Sequence, residues 1–472
     1  MPEVVAAGMH RGPGGALAGG ERLALIGLGV TNTAAARALV ARGHPVVITD
    51  DRSPETGAEL ASGLGVEFVA SPSVEQLDGL LERSDYMLPA PGLPESHPAF
   101  ESSRRLDTPV VSEFDLAQSW DQRDVVAVTG TNGKTTVVTL VADMLTRSGI
   151  ATRAVGNLEV PLVAAIDDPG PSCFVVEASS FRLGHSRWFS PRVGAWLNFS
   201  PDHLDVHLDL ESYRRAKASI WARMGVGNTA VVAADDPVVS AHAPAGGVTV
   251  WRFGLGGAGE GLDFTLSGES LVGPGDVEIV RRTELRRDLP HDLNNALAAA
   301  ASAMAVGAGV PAIREALRAF GGLPHRVQLV GETGGVRYYD DSKATAPHAT
   351  LAAASGFERV VLVAGGRNKG LDLSELAKAD SVVAVVGIGE AAHEVVGAFD
   401  AIPGAVATSM REAVALASDL AVEGDVVLLS PGCASFDWYS GYPERGDDFS
   451  AEVRLLGLDE PTANEERDGD CN

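Results

Sequence analysis

The sequence predicts an α/β protein made of three doubly wound units in succession. Three observations predict it. Short apolar runs rich in Val and Ile recur along the chain, and helix-like stretches follow them. Glycine-containing turns stand directly after several of those runs, at Gly27-Leu28-Gly29, Gly130-Thr131-Asn132-Gly133 and Gly365-Gly366. The length of 472 residues is enough for about two to four domains of ordinary size. The expected boundaries are 21–111, 112–322 and 323–458.

Composition narrows the function. Lys and Arg total 37 against 63 Asp and Glu, a net charge of −26, which argues against a nucleic-acid or anionic-membrane partner. A small anionic substrate remains compatible where local cations outweigh that field. The cysteines Cys173, Cys433 and Cys471 have no paired spacing and fit a reducing cytosol, hence a cytoplasmic location. No apolar run reaches the roughly 18 residues of a membrane span. Met1 to Gly20 is too rich in glycine and too poor in basic residues for a signal peptide and reads as a leader. The acidic stretch Asp459 to Asn472 reads as a disordered tail. No repeated apolar face stands out, so a monomer is expected.

In the first domain, Leu23 to Ile26 is a buried-strand run that leads into Gly27-Leu28-Gly29-Val30-Thr31-Asn32 and a helical stretch from Thr33 to Arg42. Pro45 to Asp50 is the next strand, ending on an acid at the spacing of a ribose contact. This is a Rossmann-like βαβ unit. Asn32 occupies the place of the third glycine, so a mononucleotide or nucleotide-sugar is at least as good a ligand as a dinucleotide. Further strands are expected at Val66–Val69, Tyr86–Leu88 and Pro109–Val111, with the rigid turn Pro89-Ala90-Pro91-Gly92 at a strand end.

The central domain is expected to be a P-loop ATPase-like parallel sheet. The run Val125 to Thr129 enters Gly130-Thr131-Asn132-Gly133-Lys134-Thr135-Thr136 and then a helix. Strand, tight turn and helix point backbone N–H groups at a phosphate. Lys134 can reach terminal phosphates and Thr135 can hold Mg²⁺. The full Walker spacing would need glycine where Val128 stands, so this is a shortened variant. Cys173 to Val176 is a strand closed by Glu177, placed for a Mg²⁺ ligand. Val193 to Asn198 opens onto Asp202-His203-Leu204-Asp205-Val206-His207, whose two imidazoles and two carboxylates could bind a metal. A helix from Leu210 to Met224 carries Lys217, which taken alone reads as a surface charge. Thr229 to Ala234 is another strand, and an irregular glycine-rich section follows from Gly254 to Gly275. His291 to Asn295 are expected to cap an Ala-rich helix from Ala296 to Ala308, with polar side chains within reach of a base edge.

In the last domain, Tyr338-Tyr339 ends a strand before Asp340-Asp341-Ser342-Lys343-Ala344-Thr345-Ala346-Pro347. Strands at Val360–Ala364, Val382–Val386 and Val426–Leu429 alternate with helical segments, a second Rossmann-like arrangement. Polar glycine-rich loops at several strand ends suggest a binding face.

With these motifs in place the chain resembles the bacterial Mur ligases over about residues 21–455, and in particular their glutamate-adding branch. The motifs are Gly130 to Thr136, Asp202 to Asp205, Gly322-Leu323-Pro324-His325-Arg326, Asp341-Ser342-Lys343-Ala344-Thr345 and Ser430-Pro431-Gly432-Cys433-Ala434-Ser435-Phe436-Asp437. The resemblance implies an ATP-dependent amide ligase that adds D-glutamate to UDP-N-acetylmuramoyl-L-alanine through an acyl phosphate, in peptidoglycan precursor synthesis. The alternative is L-glutamate or another amino acid as acceptor. The resemblance implies that Val30, Thr31, Asp50, Asp51 and Arg52 hold the uridine diphosphate group and that Gly92, Asn157 and His203 line the same substrate. Gly130, Thr131, Asn132, Gly133, Lys134, Thr135 and Thr136 would grip the ATP phosphates, with Asn295 on the adenine side and Arg326 and Asp341 at the nucleotide and ribose. Thr135, Glu177 and His203 would hold Mg²⁺, and Lys217, as a carbamate, would hold a second. Lys343, Thr345, Ser435, Phe436 and Tyr442 would hold glutamate, and the last domain would close over the reaction.

The chain departs from the family's pattern at Glu159, Ala178, Arg182, Asp292 and Ala346. Glu159 and Arg182 are expected to compensate one another. A non-catalytic relative would show damaged phosphate and metal residues, yet Lys134, Thr135, Glu177, His203 and Lys217 all stand. A nicotinamide oxidoreductase, suggested by Gly27-Leu28-Gly29, leaves the Lys134 loop unused.

Overall fold

A computed structural model describes residues 17–156, 160–203, 206–256 and 261–456. They form two compact units. One comprises the chain up to Arg286 together with Leu293–Phe320, the other Arg287–Asp292 and the residues from Gly321 onward.

The first unit holds two sheets. The smaller contains β1 (Leu23–Ile26), β2 (Val46–Asp50), β3 (Glu67–Ala70) and β4 (Tyr86–Pro89) in the order β3-β2-β1-β4, all parallel. Strand order reverses at β1, so the carboxyl ends of β1 and β4 form a switch point, the place where open α/β sheets take ligands. The Gly27–Gly29 turn and the Gly92 turn flank it. The strand expected at 109–111 is reduced to a single parallel bridge, Met87 to Val110, because the chain turns at once into the helix Glu113–Trp120.

The larger sheet contains β5 (Asp124–Thr129), β6 (Thr152–Gly156), β7 (Cys173–Glu177), β8 (Val193–Trp196), β9 (Thr229–Ala233), β10 (Thr249–Gly254), β11 (Phe264–Ser267), β12 (Ser270–Gly273) and β13 (Val277–Arg281). Its order is β13-β12-β11-β10-β9-β8-β5-β7-β6. The expected parallel sheet is found from β6 to β11, and β7, β8, β9 and the last four residues of β5 are buried, as parallel strands covered on both faces require. The irregular glycine-rich section resolves into an antiparallel meander, β11-β12-β13, which makes the whole sheet mixed. The Ala-rich helix starts at Pro290 and ends at Val306. His291 to Asn295 therefore occupy its first turns and do not cap it, since proline is favoured at a helix start. The helix expected over 210–224 ends at Ala218 and passes into a 3₁₀ turn, Ser219–Trp221.

Asp115 ties the helix Glu113–Trp120 to the segment before β8. Its carboxylate is fully buried and accepts backbone N–H bonds from Ser112, Arg187, Trp188 and Phe189, each at 2.9 Å. Charge-assisted bonds of this kind offset the cost of burying the acid.

The second unit carries one six-stranded sheet of β14 (Gln328–Thr333), β15 (Val336–Asp340), β16 (Val360–Gly365), β17 (Val382–Ile388), β18 (Gly404–Val406) and β19 (Val426–Leu429). The order is β14-β15-β19-β16-β17-β18, parallel except for the β14–β15 hairpin. Separate apolar cores form around Leu362 and Leu428 and around Val361 and Val427. That alternation between neighbouring residues is what a sheet covered on both faces requires.

Asp115→Ala takes the acceptor from four backbone N–H donors, those of Ser112 and Phe189 buried. It is expected to destabilise the first unit by about 2–4 kcal/mol, read as a shift in the urea midpoint of that unit's unfolding. An unchanged midpoint contradicts this role.

Candidate active site

The site in the first unit starts from the turn between β5 and the helix Lys134–Arg147. Gly133 caps that helix at φ +83°, a left-handed conformation that favours glycine, and a side chain there would strike Asn295. Asn295 thus lies against the phosphate loop. Asn198, at the end of β8, fixes the loop: its Oδ1 accepts from the N–H groups of Thr131 (3.0 Å) and Asn132 (2.9 Å), and its Nδ2 donates to Asn132 O at 3.2 Å. The Thr131 hydroxyl lies 3.2 Å from the buried Tyr213 hydroxyl and accepts from Ser200 N–H at 3.0 Å. Neither Asn198 nor Tyr213 stood out in the sequence as a functional residue.

Two lysines converge on this loop. Lys134 Nζ donates to the carbonyls of Gly130 (3.0 Å) and Thr131 (2.8 Å). Lys217 Nζ donates to the same Gly130 carbonyl at 2.6 Å and lies 4.6 Å from the centre of the Tyr213 ring. Lys217 is only 2 % exposed and is no surface charge. Burial, and then the charge of Lys134, push its pKa well below the ordinary lysine value. On the other side, Thr135 Oγ1 donates to Glu177 Oε2 at 2.8 Å, at the end of β7. Thr136 follows, half-buried, in the first turn of the helix.

Within the Asp202–His207 segment the two histidines have different surroundings. His207 is buried with both ring nitrogens engaged, Nδ1 at 2.8 Å from Glu95 Oε1 and Nε2 at 2.9 Å from Ser180 Oγ. His203 takes a left-handed backbone (φ +56°), with its Nε2 3.4 Å from Asp202 and its ring edge-on to Phe181. Asp205 lies outside the described residues, as do Asn157 and Glu159. Among the described residues no group of three or more His, Cys, Asp or Glu is arranged to hold a metal ion.

At the first glycine turn, Asp50 braces the loop: Oδ2 accepts from Leu28 N–H at 2.6 Å and Oδ1 from the N–H groups of Arg52 and Ser53 at 2.9 and 2.5 Å. Asp51 pairs with His97 at 3.1 Å, and Arg52 is exposed. Val30 is 70 % exposed at the start of the helix Val30–Ala41. Asn32, in the third-glycine place, donates to Gly27 O (2.9 Å) and Leu88 O (3.3 Å) and so joins the ends of β1 and β4. Gly92 has φ +79° with open space around it. Thr31 accepts from Arg182 Nη2 at 2.9 Å, and Arg182 Nε faces Glu113 at 3.3 Å. The described partners of Arg182 are therefore Thr31 and Glu113.

The second unit gathers its polar residues beyond β15, β16 and β19. Asp341 is buried, accepting from Ser430 Oγ (2.8 Å) and Val327 N–H (3.2 Å), and burial pushes its pKa up to about 7. Both of its oxygens are thus used within the unit. Lys343 Nζ sits 4.0 Å from the centre of the Tyr442 ring, and its N–H donates to His325 O at 3.1 Å. Arg445, buried, donates to Ser342 Oγ (2.9 Å) and Ser342 O (2.8 Å), which fixes the residue before Lys343. Ser435 is buried, Phe436 is 60 % exposed, and Arg326 and Thr345 are half-buried.

The segment 128–303 matches the Mur ligase middle domain, and 325–433 matches the glutamate ligase domain of the same ligases. Together they cover more than half of the chain. It belongs to the Mur ligase family. The UDP-N-acetylmuramoylalanine–D-glutamate ligase of Pelotomaculum thermopropionicum is 37% identical over 458 residues, covering 92% of this chain and 98% of that protein. The protein of the same name from Rubrobacter xylanophilus is 39% identical, over 93% of this chain and 98% of its own. Two solved structures share the fold at low identity. A pseudomurein peptide ligase type C from Methanothermus fervidus has a TM-score of 0.56 at 17% identity, over 87% of this chain and 97% of that one. A UDP-N-acetylmuramate–alanine ligase from Thermotoga maritima has 0.54 at 18%, over 92% and 100%.

Mur ligases are ATP-dependent amide-bond ligases. The Mur ligase middle-domain segment includes the phosphate loop, Glu177, His203, Lys217 and Asn295. The second segment includes Arg326, Asp341, Lys343 and Thr345, while Ser435, Phe436 and Tyr442 lie just past it. No described helix is long and apolar enough to cross a membrane.

Asn198→Ala removes the shared acceptor of Thr131 and Asn132 and is expected to raise the ATP KM by about tenfold or more. Asn198→Asp keeps the acceptor but sets a carboxylate beside the phosphates, and is expected to weaken ATP at least as much. Steady-state kinetics with ATP varied check both, and a native KM in either variant contradicts this role for Asn198.

Proposed function

We propose that this Mur ligase joins D-glutamate to the alanyl carboxylate of UDP-N-acetylmuramoyl-L-alanine in the cytoplasm. The observation that carries the reading is the convergence of Lys134, Thr135, Glu177 and Lys217 on one glycine turn. The names of the relatives, over nearly their whole length, support the choice of substrate. On this reading 21–111 takes the nucleotide-linked substrate, 112–322 takes ATP and 323–458 takes the amino acid.

The substrate carboxylate attacks the γ-phosphorus of ATP. The bond to the ADP oxygen breaks and an acyl phosphate forms. Lys134 and the loop N–H groups steady the charge on the phosphoryl oxygens. The glutamate amine then attacks the acyl carbon, the new C–N bond forms, and phosphate leaves as the nitrogen loses its proton. Lys343 pairs with a glutamate carboxylate, with Thr345, Ser435, Phe436 and Tyr442 beside it. Val30, Thr31, Asp50, Asp51, Arg52, Gly92 and Asn157 hold the uridine diphosphate side, and Asn295, Arg326 and Asp341 the adenosine side.

The Thr135 hydroxyl and the Glu177 carboxylate are hard oxygen donors of the kind that hold Mg²⁺ together with substrate phosphates. With His203 they would hold one ion, which when bound offsets the negative charge of the transferring group. Lys217, whose pKa is held well below the ordinary lysine value by burial and then by Lys134, is suited to attack CO₂. A C–N bond forms, a proton leaves, and the resulting carbamate places an anion where a second Mg²⁺ would bind.

Phosphate release from ATP, Mg²⁺ and UDP-N-acetylmuramoyl-L-alanine tests the reading. Release only with D-glutamate is expected. Release only with L-glutamate would support the alternative acceptor and direct attention to Ala346. Lys217→Arg keeps a cation but cannot form the carbamate. It is expected to lower kcat by about 100-fold or more with a smaller change in the ATP KM, and native kcat would exclude the carbamate.

A further inference from the structure

The short helix Ser180–Leu183 begins three residues beyond Glu177 and sends two side chains to the smaller sheet. Ser180 reaches it through His207 and Glu95. Arg182 reaches it directly. Its Nη2 donates to Thr31 Oγ1 at 2.9 Å while its Nε faces Glu113 Oε1 at 3.3 Å. All three residues are buried, Arg182 and Thr31 at 6 % exposure and Glu113 at 2 %. Glu113 is itself anchored, since its other oxygen accepts from Val163 N–H at 3.0 Å. Burial raises the pKa of Glu113, and the neighbouring guanidinium pulls it back.

A guanidinium carries five N–H donors, and here Nη1 and Nε are both buried without a hydrogen-bond partner, Nε keeping only its ionic contact with Glu113 Oε1. Buried donors are rarely left so, and one this close to a glycine turn is a candidate for function. The geometry at Thr31 gives the reason. Its hydroxyl oxygen accepts from a charged donor, so its own hydrogen is turned away from Arg182 and is free to donate. A hydroxyl that accepts a charge-assisted bond becomes a better donor in turn. Thr31 is the second residue of the helix Val30–Ala41, whose N-cap, Gly29, offers no side-chain cap. An oxyanion at the Gly27–Val30 turn would therefore meet the helix N-terminus, the oriented Thr31 hydroxyl and, behind it, a fixed positive charge.

We propose that Arg182, clamped by Glu113, is a positioning residue that aims the Thr31 hydroxyl at the diphosphate of the nucleotide-linked substrate. The inference rests on the reading above that this turn holds the uridine diphosphate group. It adds that diphosphate recognition depends on a residue from the β7 loop, the loop that also follows Glu177. Recognition of the nucleoside does not depend on Arg182.

Calorimetric titration of the full-length protein with UDP, uridine and ATP tests it. Arg182→Gln is expected to lose about tenfold or more in UDP affinity, with uridine and ATP affinities near native, and Arg182→Lys to recover part of the loss. Arg182→Gln also strands a buried carboxylate and lowers the melting temperature. The double variant Glu113→Gln/Arg182→Gln removes that carboxylate, and is expected to regain the melting temperature while UDP stays weak. Native UDP affinity in Arg182→Gln, or its return in the double variant, would overturn the positioning role and reduce Arg182 to a structural tie. Failure of the native protein to bind UDP at all would overturn the substrate reading, and this inference with it.

Discussion

Everything at the larger sheet depends on holding a turn of bare backbone at the end of β5. The Gly130–Gly133 loop has few side chains to pack, and its polar groups need partners from elsewhere. Asn198 takes two of its N–H groups, and Lys134 and Lys217 share the Gly130 carbonyl. Each partner comes from a different place: the end of β8, the loop's own helix, and the helix Leu210–Ala218. The sheet order puts β5 between β8 and β7, so Asn198 and Glu177 stand on either side of the turn. The topology thus builds the site before any side chain acts.

The strands were legible because buried parallel strands are continuous apolar runs, and those of β1, β5, β7, β8, β9, β16, β17 and β19 are such runs. The meander β11–β13 was not, since its strands are short and interrupted by glycine and polar turns. The start of the helix Pro290–Val306 was misplaced because polar residues after a proline resemble a cap when only the sequence is read. In the site, glycine, lysine and threonine at fixed spacing point to a phosphate loop from local chemistry alone. Asn198, Tyr213 and Glu113 could not be found that way. Their partners lie 50 or more residues away in the chain, at Asn132, Thr131 and Val163. Lys217 is the sharpest case. One lysine on an amphipathic helix reads as a solvated charge, and only burial against Gly130 and Tyr213 distinguishes it. His207 erred the other way: a histidine close to His203 suggested a ligand, but Glu95 and Ser180 occupy both of its nitrogens.

Charge also explains how a chain of net charge −26 can serve anionic substrates. Lys134 and Arg182 stand at or next to the turns, and each is held by protein groups. Fixed cations in a low-dielectric setting act over short range and more strongly than the screened field of the surface. In the second unit Lys343 is arranged on the same principle, over the Tyr442 ring and beside the buried Arg445–Ser342 contact.

On the proposed mechanism the glycine–lysine turn at the end of β5 activates a carboxylate as an acyl phosphate. The most direct measurement uses UDP-N-acetylmuramoyl-L-alanine labelled with ¹⁸O in its alanyl carboxylate, turned over with ATP and D-glutamate. One ¹⁸O atom is expected in each phosphate released, since the attacking oxygen leaves with the phosphoryl group. Unlabelled phosphate accompanying amide formation would contradict it.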